Sequence, residues 1–390
     1  MAQIPFTPAS LEEAPAAFAA LAEARRTTPV LHDEATNTWH LFRYEDVDRV
    51  LLDYAGFSSE EPAKPGAPPN PDDFGISIIG MDPPRHRQLR ALVSQAFTPK
   101  AIIDLRPRIE ALANDLINQA RAAGDGRMDL IRDFAEPLPV TVIAEMLGVP
   151  VERRRDFKRW SDDVISGDPA RQEVGMTEMA EFFRTMIAAR RQAATDDLIG
   201  DLVKAQIDGA HLAEAEIVAF SILLLVAGNA TTTNLIGNAI VSLDAHPEQF
   251  ARVRENPAFI PGAIEETLRW LPPVWQLGRF AKEGATIAGE HLPPGATVVP
   301  WLAAANRDPE RFPDPDAFDP QRTPNKHLAF GRGIHACIGA PLSRLEAAIA
   351  LPMLLECLPD LRVVRDAPIP VVDSDVVFGP TTLPVEFSPN

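Results

Sequence analysis

Tyrosine and cysteine are nearly missing from this chain, which has 2 of each in 390 residues. Cys337 and Cys357 stand alone without a C-x-x-C pair, which excludes a disulfide framework and a zinc ribbon and fits a reducing cytoplasm. Positive charge is short as well. Against 55 acids there are 37 lysines and arginines, a net charge of −18, which argues against general affinity for nucleic acid. Long apolar runs are also scarce: the longest, 217–228, is interrupted by Ser221 and is too short to span a bilayer. The first residues, Met1-Ala2-Gln3-Ile4-Pro5-Phe6, lack a basic stretch followed by an apolar one, so neither a signal peptide nor a membrane anchor is expected. What the chain does have is 46% hydrophobic residues, enough for a large buried core.

Helical periodicity covers 102–122, 140–147, 178–192, 214–243, 263–271 and 342–358, whereas strand-like pieces are few and short, at 39–42, 285–287, 297–301 and 383–387. The expected fold class is therefore mainly α, a large helical body with a smaller β-containing region. Length alone allows two or three domains or one large body. Proline punctuates 60–73 and 308–324, so neither stretch forms regular helix. The first reads as a surface loop and the second as a structural meander.

The most informative segment is Phe330-Gly331-Arg332-Gly333-Ile334-His335-Ala336-Cys337-Ile338-Gly339, a cysteine among glycines just ahead of a helical pattern. Gly331 and Gly333 permit positive φ and close approach to a flat ligand, and Gly339 leaves space beside the sulfur. Pro341 suits a first helical turn. At a helix N-terminus the free N–H groups and the dipole are expected to lower the Cys337 pKa and favour a metal-binding thiolate. Phe-Gly-x-Gly-x-His-x-Cys-x-Gly resembles the haem-binding loop of the cytochrome P-450 superfamily. The resemblance implies a single cytochrome P-450 domain over 1–390, with haem b (iron protoporphyrin IX) held between a long central helix and the cysteine loop. It makes Cys337 the axial iron ligand and places Phe330, Gly331 and Gly339 around the cofactor. A zinc site at His335 and Cys337 would lack two clustered ligands. His32, His40, His211, His246, His291 and His327 show no metal spacing and read as surface groups; Cys357 reads as packing.

The pattern over 214–243 would extend roughly 45 Å at 1.5 Å per residue, enough to cross a domain as its central helix. Within it, Ala227-Gly228-Asn229-Ala230-Thr231-Thr232-Thr233 combines a mid-helix glycine with three β-branched residues, a weakness that calls for a reason. Gly228 removes bulk where a ligand approaches, and Thr231 can hydrogen-bond the Ala227 carbonyl and open a groove. The segment resembles the oxygen-activation motif Ala-Gly-x-acid-Thr, in which the acid and the threonine relay protons. Here the acid position holds Ala230. The departure has three readings: tolerance, with Asn229 and Thr232 organising water; a branch that uses peroxide or other haem chemistry; or an engineered substitution. Protons would then come through Thr231, water or another carboxylate.

Further residues match the resemblance. Glu266 and Arg269 correspond to Glu-x-x-Arg, which forms a buried triad with a meander arginine, here Arg322 rather than Arg311. His86 and Arg90, one helical turn apart, match the propionate-binding pair, joined by Arg279 and His335. The 60–73 loop would act as a lid over the substrate pocket, or else as a spacer, and it leads into the loop around Phe74, Ile76, Ile78 and Ile79. That second loop would line the pocket with Val226, Ala227, Val274, Trp275, Leu277, Val377 and Phe378. The implied reaction is monooxygenation of a hydrophobic substrate by dioxygen in a cytoplasmic, monomeric bacterial enzyme. Electrons would come from a ferredoxin and ferredoxin reductase docking at a patch of Lys326, Arg332 and Arg344. The alternatives are a peroxide-dependent haem-thiolate oxidase and a non-catalytic haem sensor or carrier.

Overall fold

The computed structural model describes residues 7–62, 77–122, 124, 126–193, 195–207 and 209–388. The central helix spans Glu214–Asp244 and is buried on nearly every face over its second half. Its polar residues there, Asn234, Asn238 and Ser242 among them, are buried along with the apolar ones, so it turns no face toward water. Helices Pro137–Leu147, Pro169–Gln192, Ile260–Trp270 and Ala340–Cys357 pack around it. Among the described residues it is the one helix long and apolar enough to cross a membrane, and 67% of that apolar window is buried inside the protein. Its start is secured by Glu216, whose carboxylate accepts the Ala213 N–H at 3.0 Å. The same carboxylate accepts Arg85 Nε at 2.8 Å and Nη2 at 2.5 Å. That pairing tethers helix Arg85–Val93 to the mouth of the central helix.

The β-region is a five-stranded sheet in the order Val30–Asp33, Thr38–Leu41, Thr297–Pro300, Arg279–Ala281 and Phe57–Ser58. Thr297–Pro300 runs parallel to Thr38–Leu41 and antiparallel to Arg279–Ala281. A second sheet joins Arg362–Val363, Pro384–Glu386 and Arg127–Asp129. A smaller apolar cluster lies beneath the first sheet, apart from the large helical core.

Several sequence-based boundaries shift for identifiable reasons. The 102–122 pattern divides into Pro99–Asp104 and Arg106–Ala122, because Pro107 has no N–H with which to continue the hydrogen-bond ladder. The 178–192 pattern begins earlier, at Pro169, where the Asp168 side chain accepts the Ala170 N–H at 2.9 Å. Helices Ala14–Thr27, Tyr44–Leu52, Arg154–Ile165 and Pro247–Glu255 escape the periodicity; three of them are dominated by charged residues and one by alanine.

Candidate functional site

The cysteine loop folds through its own backbone. Gly331 N–H donates to Leu328 C=O at 2.8 Å, Ala336 N–H to Gly333 C=O at 3.2 Å and Cys337 N–H to Phe330 C=O at 2.8 Å. Gly331 and Gly333 take φ of 64° and 68°, the left-handed region where a side chain is strained. A β-carbon on Gly333 would also lie 2.7 Å from Leu51 O on helix Tyr44–Leu52. Gly339 differs. It has an ordinary φ of −80° at the N-cap of Ala340–Cys357, and a β-carbon there would meet Cys337 Sγ at 3.9 Å, a normal contact rather than the reserved space expected.

The Cys337 sulfur receives hydrogen bonds from the Gly339 and Ala340 N–H groups, the helix-N-terminal geometry that the sequence suggests. Its surface opens into a cavity, while dense protein surrounds it on every other side. Burial pushes the thiol up, outweighing those two N–H groups and the charges of Arg90 and Arg344. This reverses the expected lowering: one helix terminus does not offset desolvation, and the thiolate needs a cation in front of the sulfur.

That cavity, of about 270 Å³, lies between the cysteine loop and the central helix, from which Ala227, Gly228, Thr231 and Thr232 face it. Ile78, Ile79, Val274 and Leu277 line it as expected. Phe74 and Ile76 lie outside the described residues. Val226, Trp275, Val377 and Phe378 are core residues rather than lining. Trp275 stacks on Phe378 with ring centres 4.4 Å apart and meets Phe18 at 5.0 Å. Val377 bridges to Val274 and so supports the wall from behind.

On the central helix the Thr231 hydroxyl donates to Ala227 C=O at 2.7 Å, and the helix runs unbroken through this turn. A β-carbon on Gly228 would lie 3.3 Å from Ile143 Cγ1, so the glycine serves close packing with helix Pro137–Leu147 as well as the cavity. Asn229 and Ala230 do not line the cavity; buried Asn229 accepts the Thr233 hydroxyl at 3.3 Å. Thr232 Oγ1 and Ser343 Oγ share a hydrogen bond at 3.1 Å. Beside them is Glu346, which the sequence motifs do not reveal: it is 1% exposed, lines the cavity, and burial pushes its carboxyl up to about 8 despite a hydrogen bond from Thr232. The available signal is a lone acid in the apolar run Leu345–Leu351.

Cationic and imidazole groups gather at one edge. His86 and His335 have ring centres 4.3 Å apart, and neither buried Nε2 has a hydrogen-bond partner. Arg90 Nη2 donates to Ala336 C=O at 2.5 Å, and buried Arg279, on its strand, donates to Gly278 C=O at 2.6 Å. Burial lowers the pKa of His86, Arg90 and Arg279. His335 is brought to about 3 by burial and then by the charges of Arg279 and His86. The nearby carboxylate, Asp82, is engaged by Ser58 Oγ and Lys282 Nζ, each at 2.7 Å. Such an edge lacks an anion.

Glu266 is a hub rather than a cavity residue. Its fully buried carboxylate accepts Arg269 Nε at 2.8 Å and Nη2 at 2.7 Å, Arg322 Nε at 3.0 Å, Asp319 N–H at 2.9 Å and Asn325 Nδ2 at 3.0 Å. The structure thus brings Glu266, Arg269 and Arg322 together, while Arg311 lies over the Tyr44 ring. Next to it, Glu265 accepts Arg344 Nε at 2.7 Å and pairs with His327 at 3.1 Å. Burial raises the Glu265 pKa, but those partners outweigh it and hold the carboxyl at about 2. His327 is therefore not a free surface group, and neither is His40, which is buried and hydrogen-bonded by Trp301 Nε1 at 3.1 Å.

An open sulfur across a cavity from the central helix, with buried nitrogens lacking an anion at one edge, is the geometry of a haem-thiolate protein. The residues present fit that group, since the unpartnered His86 and His335 nitrogens and the buried arginines match its propionates. The family model described as Cytochrome P450 matches residues 257–359. The chain is 41% identical to Cytochrome P450 109 of Bacillus spizizenii, over 93% of this chain and 90% of that protein. It is 40% identical to Cyclomarin C epoxidase CymV of Salinispora arenicola, over 94% and 95%. The crystal structure of CYP109E1 from Bacillus megaterium in complex with testosterone superposes with a TM-score of 0.90 at 39% identity, covering 95% of this chain and 97% of that one. The chain belongs to the cytochrome P450 family and has its mainly α fold. It is a haem-dependent monooxygenase of the bacterial branch.

Proposed function

We propose that this enzyme inserts one oxygen atom from dioxygen into a neutral, hydrophobic substrate of roughly steroid bulk, with Cys337 as the axial ligand. The observation that carries the reading is the opposition of two walls: a sulfur open into an apolar cavity and a buried edge of His86, Arg90, His335 and Arg279 without an anion. When bound, the haem supplies dioxygen activation and oxygen-atom transfer. The chain's own groups do the rest. Gly339 and Ala340 N–H groups hold the sulfur, and the four nitrogen-bearing side chains hold the propionates. Ala227, Gly228 and Thr231 form a groove in which the Thr231 hydroxyl is oriented by Ala227 C=O. Ile78, Val274 and Leu277 exclude water from the substrate space. The testosterone-bound neighbour supports a neutral polycyclic substrate, because no charged side chain beyond the propionate set and Glu346 faces this cavity.

Electrons come in this reading from a ferredoxin and its reductase, docking at Lys326, Arg332 and Arg344, of which Lys326 is exposed. The whole chain, 1–390, acts as one domain, a monomer in the cytoplasm. The test is Cys337→Ala in the haem-loaded protein. The variant is expected to lose the strongly red-shifted absorption of the ferrous carbon monoxide adduct and at least a hundredfold of turnover; retention of both would overturn the assignment. A second reading, peroxide-driven oxidation, is favoured by Ala230, which leaves the central helix without an acid at the cavity. Product formation with peroxide alone at rates equal to or above those with reductant and ferredoxin would select it.

A further inference from the structure

Glu265, His327 and Arg344 do not line the cavity, yet together they hold the residues that lead into the cysteine loop. The Glu265 carboxylate accepts Arg344 Nε at 2.7 Å and Arg344 Nη2 at 2.9 Å, the two-point pairing that a guanidinium fork makes and an ammonium cannot. Its Oε2 also meets His327 Nε2 at 3.1 Å. The other ring nitrogen, Nδ1, receives the Ala329 N–H at 3.2 Å. A backbone N–H can only donate, so Nδ1 is the acceptor and Nε2 carries the hydrogen that Glu265 takes. One residue further on, the Arg344 guanidinium lies over the Phe330 ring, 4.5 Å from its centre, and the Phe330 carbonyl accepts the Cys337 N–H at 2.8 Å. A single carboxylate on helix Ile260–Trp270 thus reaches the cysteine by two routes, the backbone of Ala329 and the face of Phe330.

Stability does not account for this arrangement. The Arg344 and Glu265 side chains are 40% and 33% exposed, and an ion pair so open to water contributes little to folding. What the pair does is fix a direction. A long arginine side chain has many rotamers open to it on a surface, and a cation–π contact alone is too weak there to select one. The direction matters because Arg344, and not Glu265, is among the charges that bear most on the Cys337 sulfur.

We propose that Glu265 is a positioning residue for the thiolate: it holds Arg344 flat on Phe330 and His327 against Ala329, and so sets how the cysteine loop and its nearest positive charge meet the Cys337 sulfur. The proposal rests on the reading of Cys337 as the axial ligand. It gives Glu265 an effect opposite in sign to that of its own charge. Taking away an anion near the iron raises the reduction potential, because the reduced state carries one more electron. Releasing Arg344 takes away a cation that bears more directly on the sulfur, and the potential falls.

The test compares the haem-loaded wild type with Glu265→Gln, Glu265→Asp, Arg344→Gln, Arg344→Lys and the double variant Glu265→Gln/Arg344→Gln. Spectroelectrochemical titration reads the potential, and hydrogen exchange reads the backbone over 327–337. Glu265→Gln and Arg344→Gln are both expected to lower the potential, with the double variant no lower than Arg344→Gln alone. Arg344→Lys, which keeps the charge and loses the fork, should fall with them, while Glu265→Asp returns part of the way. Amide exchange over 327–337 should quicken about tenfold in Glu265→Gln, with the urea-melt midpoint almost unmoved. A potential that rises in Glu265→Gln and keeps its wild-type value in Arg344→Lys would show a carboxylate acting by charge alone and overturn the proposal. Unchanged exchange over 327–337 in Glu265→Gln would overturn it as well. The ferrous carbon monoxide spectrum separates the two readings: a wild type without the red-shifted band overturns Cys337 as the axial ligand, and the exchange rates still decide whether Glu265 holds the loop.

Discussion

Glu346 also has a thermodynamic consequence that can be measured without any substrate. Its folded pKa of about 8 stands above the ordinary 4.5, so between those values the native chain holds a proton that the unfolded chain has released. Stability from this group is fully present below about pH 4.5 and is lost as pH rises through about 8. Each tenfold difference in proton affinity between the folded and unfolded chain is worth about 1.4 kcal/mol, which makes the loss on the order of 3–5 kcal/mol. Glu346→Gln, which cannot ionise, should therefore gain on the wild type steadily from pH 5 to pH 8.5 in urea-melt midpoints; parallel curves would contradict the assignment. Residues differ in how well the sequence advertises them. Cys337 stands out because its glycine neighbours and the following proline are local requirements of loop and helix. Glu346 does not, because most of the helix around it is apolar, and no periodicity tells which side a single acid joins. Asn229 and Ala230 were legible as a motif yet sit off the cavity, since a motif carries no rotation angle. The lowered pKa expected for Cys337 failed because desolvation, which depends on everything packed around the sulfur, is not written in ten residues.

Helix Ile260–Trp270 shows how one element organises its neighbours. Its inward face carries Glu266 and Arg269, both fully buried, and Arg269 Nη1 donates to Asn306 C=O at 3.1 Å and Pro315 C=O at 2.7 Å. The proline meander has no ladder of its own and borrows these donors to fix its path. Close approach is essential there: a β-carbon on Gly262 would lie 1.8 Å from Pro320 O, a backbone atom. Gly262→Ala should cost about 2–4 kcal/mol by forcing helix and meander apart. Thermal unfolding should report it as a drop of several degrees, and a change below one degree would show that the meander yields freely. Helix cores were legible from the 3.6-residue repeat. Their ends were less so, because capping by Asp168 and the break at Pro107 act through single side chains. Short strands such as Arg279–Ala281 were missed, since two or three residues carry no usable alternation and their pairing partners are distant in sequence.

For the molecule as a whole, the excess of 18 negative charges makes any cationic patch on its surface a distinguishing feature. Around the cysteine loop that patch is partly discharged: Arg344 is bound by Glu265, and Arg332 lies 3.5 Å from Asp48. In the proposed docking reading, exposed Lys326 is then the freest positive charge of that patch, and Lys326→Glu should slow reduction roughly three- to tenfold at low ionic strength, with the difference vanishing in high salt. Stopped-flow reduction by ferredoxin across a salt series decides it, and a salt-independent rate in both proteins would remove the patch from consideration. The mainly α architecture was legible at this scale from the proportion of helical pattern, but the long-range placements were not: His86 and His335 meet ring to ring across most of the chain's length. That meeting bears on how the protein is made. During synthesis the helix bearing His86 and Arg90 and the entire central helix leave the ribosome before Cys337 exists, so the cavity stays roofed but floorless until the last part of the chain arrives. Cofactor capture is then a closing event of biogenesis, and a nascent chain halted before the cysteine loop should display its apolar cavity walls to chaperones rather than to haem.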